Sequence, residues 1–272
     1  MIRVELPHFD KFDAWRAAAR QLASAGIPAS EIIWAEENTA SDLFGAAPLP
    51  PAGDIPIRVT QAFLDVAKTV SYHSDPQRFS TLYLALLRLQ NERSFLSNPA
   101  DPLTVKLTRY TQAIRRDIHK MHAFVRFHEL PSEGNIRQFA SWFEPEHHIL
   151  QAGAPFFAKR FADMHWFIAT PEGIARFDGK LNFEPLIEKP DIPEDAGHDL
   201  WLTYFTNIFN PARVKVKAMQ SEMPRKYWKN LPETQLIPQM LAEVPERLRK
   251  MAEAGASTPP KRAAKISQRL RD

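Results

Sequence analysis

The chain has no cysteine among its 272 residues. That excludes structural disulfides, thiolate zinc sites, iron–sulfur clusters and thiol nucleophiles together. Glycine is sparse, nine in all. None falls in a Gly-rich phosphate loop, a Gly-x-Ser-x-Gly elbow or a dinucleotide fingerprint. Nucleotide hydrolysis and dinucleotide redox chemistry are therefore not expected, and no cofactor is indicated. No stretch approaches the roughly 20 apolar residues that span a bilayer. The first twenty residues carry charges throughout and hold no apolar signal-peptide core. A cytoplasmic location without a membrane partner is the expectation.

What is present is ordinary globular material, 44% hydrophobic and 25% charged, long enough to bury a substantial core. The net charge of +3 is unevenly spread. Residues 1–60 hold five basic and eight acidic residues. Lys106 to Arg126 holds six basic residues against one acid, and Arg213 to Lys229 repeats that ratio. From Met251 onward the balance is five to two. Basic segments of this kind suit a polyanion. They also suit solvated helix faces, and charge alone does not choose between the two.

Periodicity predicts an α+β fold in one domain over residues 1–255, with a possible sub-boundary near 40–58 and a disordered basic tail over 256–272. Strands are expected at 2–6 and 31–36, flanking a helix over 12–23 that Asp10 or Asp13 could cap. Residues 39–56 read as a proline-bearing loop, and 60–121 as helical. A central antiparallel sheet of four or five strands is expected over about 120–185. Its strands are predicted at 124–128, 138–143, 165–170 and 174–177, the last two forming a hairpin, with a helix over 155–164 across one face. Helical segments at 200–209, 212–220 and 232–251 form the C-terminal part, 196–254.

Five of the nine histidines gather between residues 119 and 148: His119, His122, His128, His147 and His148. Three-residue spacing lets one helical turn aim His119 and His122 at a metal, but the His-Glu-x-x-His arrangement is missing and no metal site is assigned. Glu144 and Glu146 flank Pro145 ahead of His147 and His148. A carboxylate beside an imidazole orients it and raises its basicity, so Glu144, His147 and His148 are candidate catalytic residues. Arg126, on a predicted strand, could grip a phosphate or pair with Glu144. Arg160 is a further candidate cation and Trp166 a candidate stacking ring. Asn210-Pro-Ala-Arg213 and Arg225-Lys-Tyr-Trp-Lys229 mix cations with rings, as a surface that neutralises phosphates and stacks bases requires. The candidate nucleic-acid contacts are thus Arg115, Arg116, Lys120, Arg160, Trp166, Arg213, Arg225, Lys226, Tyr227, Trp228 and Lys229. Tyr and Trp at such spacing can equally anchor a helix onto a core.

Longer runs carry a resemblance. Arg115-Arg-Asp-Ile-His-Lys-Met-His-Ala-Phe-Val-Arg-Phe-His128, Trp142-Phe-Glu-Pro-Glu-His-His148, Ala154-Pro-Phe-Phe-Ala-Lys-Arg-Phe161, Asn210-Pro-Ala-Arg213 and Glu222-Met-Pro-Arg-Lys-Tyr-Trp-Lys-Asn-Leu-Pro232 stand in this order. They resemble a bacterial domain of unknown function found N-terminal to UdgX-type uracil-DNA-binding domains of the uracil-DNA glycosylase superfamily. A stand-alone form of that family is similar to probable DNA-metabolism proteins encoded beside a putative radical-SAM DNA repair protein. The resemblance covers about residues 2–254. It implies a DNA-binding accessory protein of DNA repair or DNA metabolism, with DNA and a uracil-DNA glycosylase-like or radical-SAM protein as partners. The alternative is an enzyme hydrolysing a base or backbone bond with a Glu/His site. The uracil-binding and iron–sulfur features of the glycosylase-like half are not carried over, since that half would have to follow residue 254.

Overall fold

The computed structural model describes residues 1–36, 48–131 and 137–192, and within 223–253 all but 232, 233 and 235. The chain divides into two compact units, Met1–Pro193 and Glu194–Asp272. Strands β1 (Ile2–Leu6) and β2 (Ile32–Glu36) pair in parallel, in register from Ile2 opposite Ile32 to Leu6 opposite Glu36. A parallel pair needs a crossover, and helix α1 (Lys11–Ser24) supplies it. Asp10 occupies the cap position of α1 but makes no side-chain cap. Its carboxylate and amide are bonded to Gln151 instead, at 2.9 and 3.1 Å.

Helices α2 (Gln61–Val70), α3 (Arg78–Asn91) and α4 (Pro102–Phe124) follow. Thr60 caps α2 through the amide of Phe63 at 3.2 Å. Asp101 caps α4 by accepting from the amides of Leu103 and Thr104, both at 3.0 Å. Pro102 then sits at the first helical position, where its missing N–H costs nothing. Apolar stripes of these helices meet β1 and α1 in one core, with Trp15, Phe63, Phe79, Leu82, Tyr83, Leu89 and Phe95 all at 2% exposure or less. Each such side chain contributes on the order of 2 kcal/mol of transfer free energy.

Beyond α4 the period changes later than the sequence suggests. Of the predicted strand over 124–128 only His128 lies in a strand, and the rest is the end of α4 and a short link. β3 spans only His128–Leu130. Met121 and Val125 are both buried and four apart, so the same residues satisfy helical spacing. Arg126 lies on that link, where its Nη1 donates to the carbonyls of Ala123 and Val125 at 2.9 and 3.2 Å.

A five-stranded sheet has the order β3, β4 (Gln138–Trp142), β5 (His165–Thr170), β6 (Gly173–Phe177), β7 (Leu181–Glu184). The α+β class is as expected. The sheet is not wholly antiparallel, however, because β4 and β5 run parallel. The reason is α5 (Leu150–Arg160), a crossover helix of eleven residues that returns the chain to the end of the sheet where β4 began. It starts five residues before the predicted helix and carries Pro155 inside it. Its buried face includes Gly153, where an added Cβ would lie 2.4 Å from the sulfur of Met121. Glycine is what allows α5 to approach α4.

In the second unit the described elements are a 3-10 turn at Arg225–Asn230 and helices α6 (Ile237–Ala242) and α7 (Val244–Glu253). The expected helices at 200–209 and 212–220, and the tail over 256–272, lie outside the described residues. Among the described residues no helix is long and apolar enough to cross a membrane.

Candidate functional site

Helix α4 sorts its charges by face. Its buried side is formed by Thr104, Leu107, Thr111, Ile114, Asp117 and Met121. Arg109, Gln112, Arg115, Arg116 and His119 are exposed, and Lys106 and Lys120 are half-buried. Positions 109, 112 and 116 recur at helical spacing, and 115 and 119 lie beside them. At 1.5 Å per residue the exposed residues from 109 to 119 extend over about 15 Å. Among the described residues no carboxylate pairs with Arg109, Arg115 or Arg116. Asp117, the one acid of the helix, is 2% exposed. Its Oδ2 accepts from the amides of Glu146 and His147, both at 2.9 Å.

Those two bonds fix the loop between β4 and α5. The His147 ring then meets Ser74, whose hydroxyl lies 2.9 Å from Nδ1. His73 stacks between His147 and Tyr110, with ring centroids at 4.3 and 3.9 Å. Burial, helped by the neighbouring His147, pushes His73 down to about 4. Tyr110 donates to Asp75, and burial together with that bond raises its hydroxyl above the ordinary tyrosine value. The amide of His148 donates to the carbonyl of Tyr72 at 2.8 Å.

His148 itself opens onto a cluster of buried charge. Lys11 Nζ donates to Glu36 Oε2 at 2.7 Å, and Arg78 pairs with Glu36 Oε1. The Arg78 side chain is 1% exposed, lies over the Phe79 ring, and donates to the carbonyls of Ser71 and Asp75 at 2.9 and 3.2 Å. Burial works against ionising Glu36, but the bond from Lys11 and the charges of Arg78 and Lys11 outweigh it and hold the carboxyl at about 2. His148 Nδ1 stands 3.7 Å from Glu172 Oε1, too far for a hydrogen bond. Burial, reinforced by the Lys11 and Arg78 charges, lowers His148 to about 4. Burial raises Glu172 to about 7, against the pull of Lys11. Two clefts share Lys11, His148 and Glu172 in their walls, one of about 320 Å³ and one of about 200 Å³. Shifted carboxyl and imidazole groups in a cleft are a mark of functional sites.

The candidates named from the sequence separate in space and in role. His147 and His148 reach this region. Glu144 accepts the indole N–H of Trp142 at 2.7 Å, Arg126 donates to carbonyls at the end of α4, and the carboxylate that approaches His148 is that of Glu172. Among the described residues no group of three or more His, Asp or Glu side chains is placed to hold a metal. α4 runs unbroken through His119 and His122. His119 is exposed, whereas His122 stacks on Phe156 at 4.1 Å and lies 3.1 Å from the carbonyl of Gly153. Arg115 and Arg116 stand in solvent as expected, Lys120 partly so, and Arg160 is exposed at the end of α5.

Trp166 departs from the expectation. It is 2% exposed and stacks on Phe177 within the sheet core, because its position on β5 points inward, and it offers no face to a base. Tyr227 is likewise 1% exposed. Arg225 is exposed and lies over the half-buried Trp228 ring, whose Nε1 donates to the carbonyl of Met223 at 3.0 Å. Arg213 and the side chains of Lys226 and Lys229 lie outside the described residues.

Lys11, Glu36, Arg78, Asp117 and Glu172 are not singled out by composition or motif. A signal exists all the same. Lys11, Trp15, Ala18 and Leu22 follow one buried stripe, and Arg78, Leu82, Ala85 and Leu89 follow another with the same spacing. A charge in phase with an apolar stripe is a buried charge in waiting.

No curated protein and no solved structure is similar enough to match the chain. A family profile described as a domain of unknown function, DUF4130, matches residues 76–233, more than half of the 272 residues. The match takes in α3, α4, the sheet, Arg78, Asp117, His148 and Glu172, and leaves out the segment with Lys11 and Glu36. On that match the chain belongs to the DUF4130 family.

Proposed function

We propose that this protein binds DNA through the exposed face of α4 and serves as an accessory protein of DNA repair or DNA metabolism, acting with a uracil-DNA glycosylase-like or radical-SAM protein. The observation that carries the reading is the charge sorting on α4. Its only acid is turned inward as a loop anchor, while Arg109, Arg115 and Arg116 face outward with no carboxylate beside them among the described residues. Arginines in such a row can grip phosphates bidentately, and contacts of that kind carry no sequence information. The UdgX-type resemblance supports the choice of DNA and of the partner class.

The test is fluorescence anisotropy with labelled single- and double-stranded oligonucleotides across a salt series. Affinity should fall linearly with salt on a log–log plot. The pair Arg115→Ala/Arg116→Ala should reduce the slope by about 2, roughly one unit for each phosphate no longer neutralised. A folded protein that leaves both kinds of DNA unbound at low ionic strength removes the reading. Co-purification from the native host tests the partner.

A further inference from the structure

We propose that the cleft walls shared by Lys11, His148 and Glu172 form a binding site for a tetrahedral oxyanion, the phosphate group of a phosphomonoester. None of these residues lies on α4, so the proposal stands apart from the DNA-binding one.

The first observation is a surplus of buried cation. Lys11 and Arg78 share one ionised partner, Glu36. Arg78 places each of its three nitrogens on an acceptor, that carboxylate and two carbonyls. Lys11 is not. Its ammonium has three N–H donors, and among the described residues the one bond formed is to Glu36. Its side chain is 8% exposed, and it lines both clefts.

The second is an orphan oxygen. The Glu172 side chain is 10% exposed, and its Oε2 is buried without a hydrogen-bond partner among the described residues. A buried polar atom left so is costly unless something arrives to meet it. Burial pushes the Glu172 carboxyl up to about 7, so its protonated form is within reach near neutral pH, and an O–H there needs an acceptor.

A bound oxyanion answers both needs. It accepts from the spare Lys11 N–H groups and from the Glu172 hydroxyl, an O–H···O⁻ bond of the strong, charge-assisted kind. A tetrahedral group presents three oxygens to donors converging from different sides, whereas a planar carboxylate presents two in one plane. The clefts, about 320 and 200 Å³, leave room for the ester group beside Phe12, Tyr72 and Phe183. Lys11 and Arg78 make the same place hostile to a metal ion.

The linkage has a definite sign. An anion beside Glu172 raises its pKa further, so binding takes up a proton, and affinity falls as pH rises through about 7. The charged and titrating groups around it are Lys11, Glu36 and Arg78, with Lys68, Glu146, His8, His147 and His148, Asp10, Asp13 and the Tyr72 hydroxyl at the cleft walls. Isothermal titration of the full chain with sulfate, which does not itself titrate in this range, isolates the protein's proton. We expect affinity about tenfold weaker near pH 8 than near pH 6, and binding heats that depend on the buffer's ionisation enthalpy. Glu172→Gln should bind sulfate with no such pH dependence. Lys11→Gln, checked for folding by circular dichroism, should bind neither sulfate nor inorganic phosphate. Arg115→Ala/Arg116→Ala should bind both as before.

The source of the group is read by competition against sulfate. Displacement by a terminally phosphorylated oligonucleotide, but not by its hydroxyl-terminated twin, identifies a nucleic-acid end. Displacement by a nucleoside monophosphate alone identifies a small ligand, and displacement by neither overturns the phosphomonoester. No sulfate or phosphate binding by the folded wild type, or a pH dependence that survives in Glu172→Gln, overturns the site. So does binding abolished only in the α4 variant.

Discussion

Single charged side chains decide much of this structure, and each gives a measurable prediction. Asp117 is the clearest. Its carboxylate is the acceptor for two loop amides while being 2% exposed. Asp117→Ala should cost about 3 kcal/mol in chemical denaturation, since two loop N–H groups lose a shared, charged acceptor that is itself buried. Asp117→Asn, which keeps one acceptor oxygen, should cost less. Glu172 behaves in the opposite sense. Its carboxyl is held at about 7 against an ordinary 4.5, so the fold favours its protonated form and loses stability as pH rises from about 4.5 through 7. Glu172→Gln should therefore stabilise the ligand-free protein by about 2 kcal/mol near pH 8 and leave it nearly unchanged near pH 4. Thermal melts at the two pH values check this. These residues are hard to find in the sequence because type alone does not mark a buried charge. Only its phase with Trp15 and Leu22, or with Leu82 and Leu89, does so.

Elements are more legible than the contacts between them. The strands expected at 2–6 and 31–36, the helix following Asp10, the 165–177 hairpin and the helical character of 60–121 all follow from periodicity, although Asp10 makes no side-chain cap. The failures have local causes. Met121 and Val125 fit a helix and a strand equally, so spacing alone ends α4 too early. Pro155 suggests a helix start, because proline is common at the first helical position, yet α5 begins at Leu150 and tolerates it. The parallel pairing of β4 with β5 depends on that crossover, whose length the proline disguises. At this scale Asp101→Ala should destabilise α4 by about 1–2 kcal/mol, because it removes the acceptor of two first-turn amides and the partner of Arg88 at 2.6 Å. Gly153→Ala should cost about 1–3 kcal/mol by forcing α5 off Met121. Equilibrium denaturation measures both.

For the molecule as a whole, acid is the informative stress. Glu36 is ionised down to about 2 in the fold, against an ordinary 4.5. Its contribution is fully present above about 4.5 and is lost as pH falls towards 2. His148, lowered to about 4 from 6.5, withdraws its contribution as pH falls through that interval. Glu172 restores a similar amount between 7 and 4.5. Those two nearly cancel, but His73, likewise lowered from 6.5 to about 4, has no such offset, so stability should ease downward below about pH 6.5 and drop steeply below about 4.5. Glu36→Gln should flatten that acid limb while costing about 3–5 kcal/mol near neutrality, because two buried cations lose their shared partner. Denaturation midpoints across the pH range would show a shallow decline below about pH 6.5 that steepens below about 4.5, and a flat acid limb in the wild type would contradict it. None of this is visible in the net charge of +3, which counts charges without saying which of them meet.

The region shared with the DUF4130 family starts at residue 76, two positions before Arg78. Glu36 comes from the opening strand–helix–strand segment, which that region leaves out. Excising the first 75 residues would thus strand a guanidinium in the interior with its countercharge gone, and would remove Lys11 in the same cut. The opening segment acts towards the rest as a built-in counter-ion, one that its own backbone keeps from ever diffusing away.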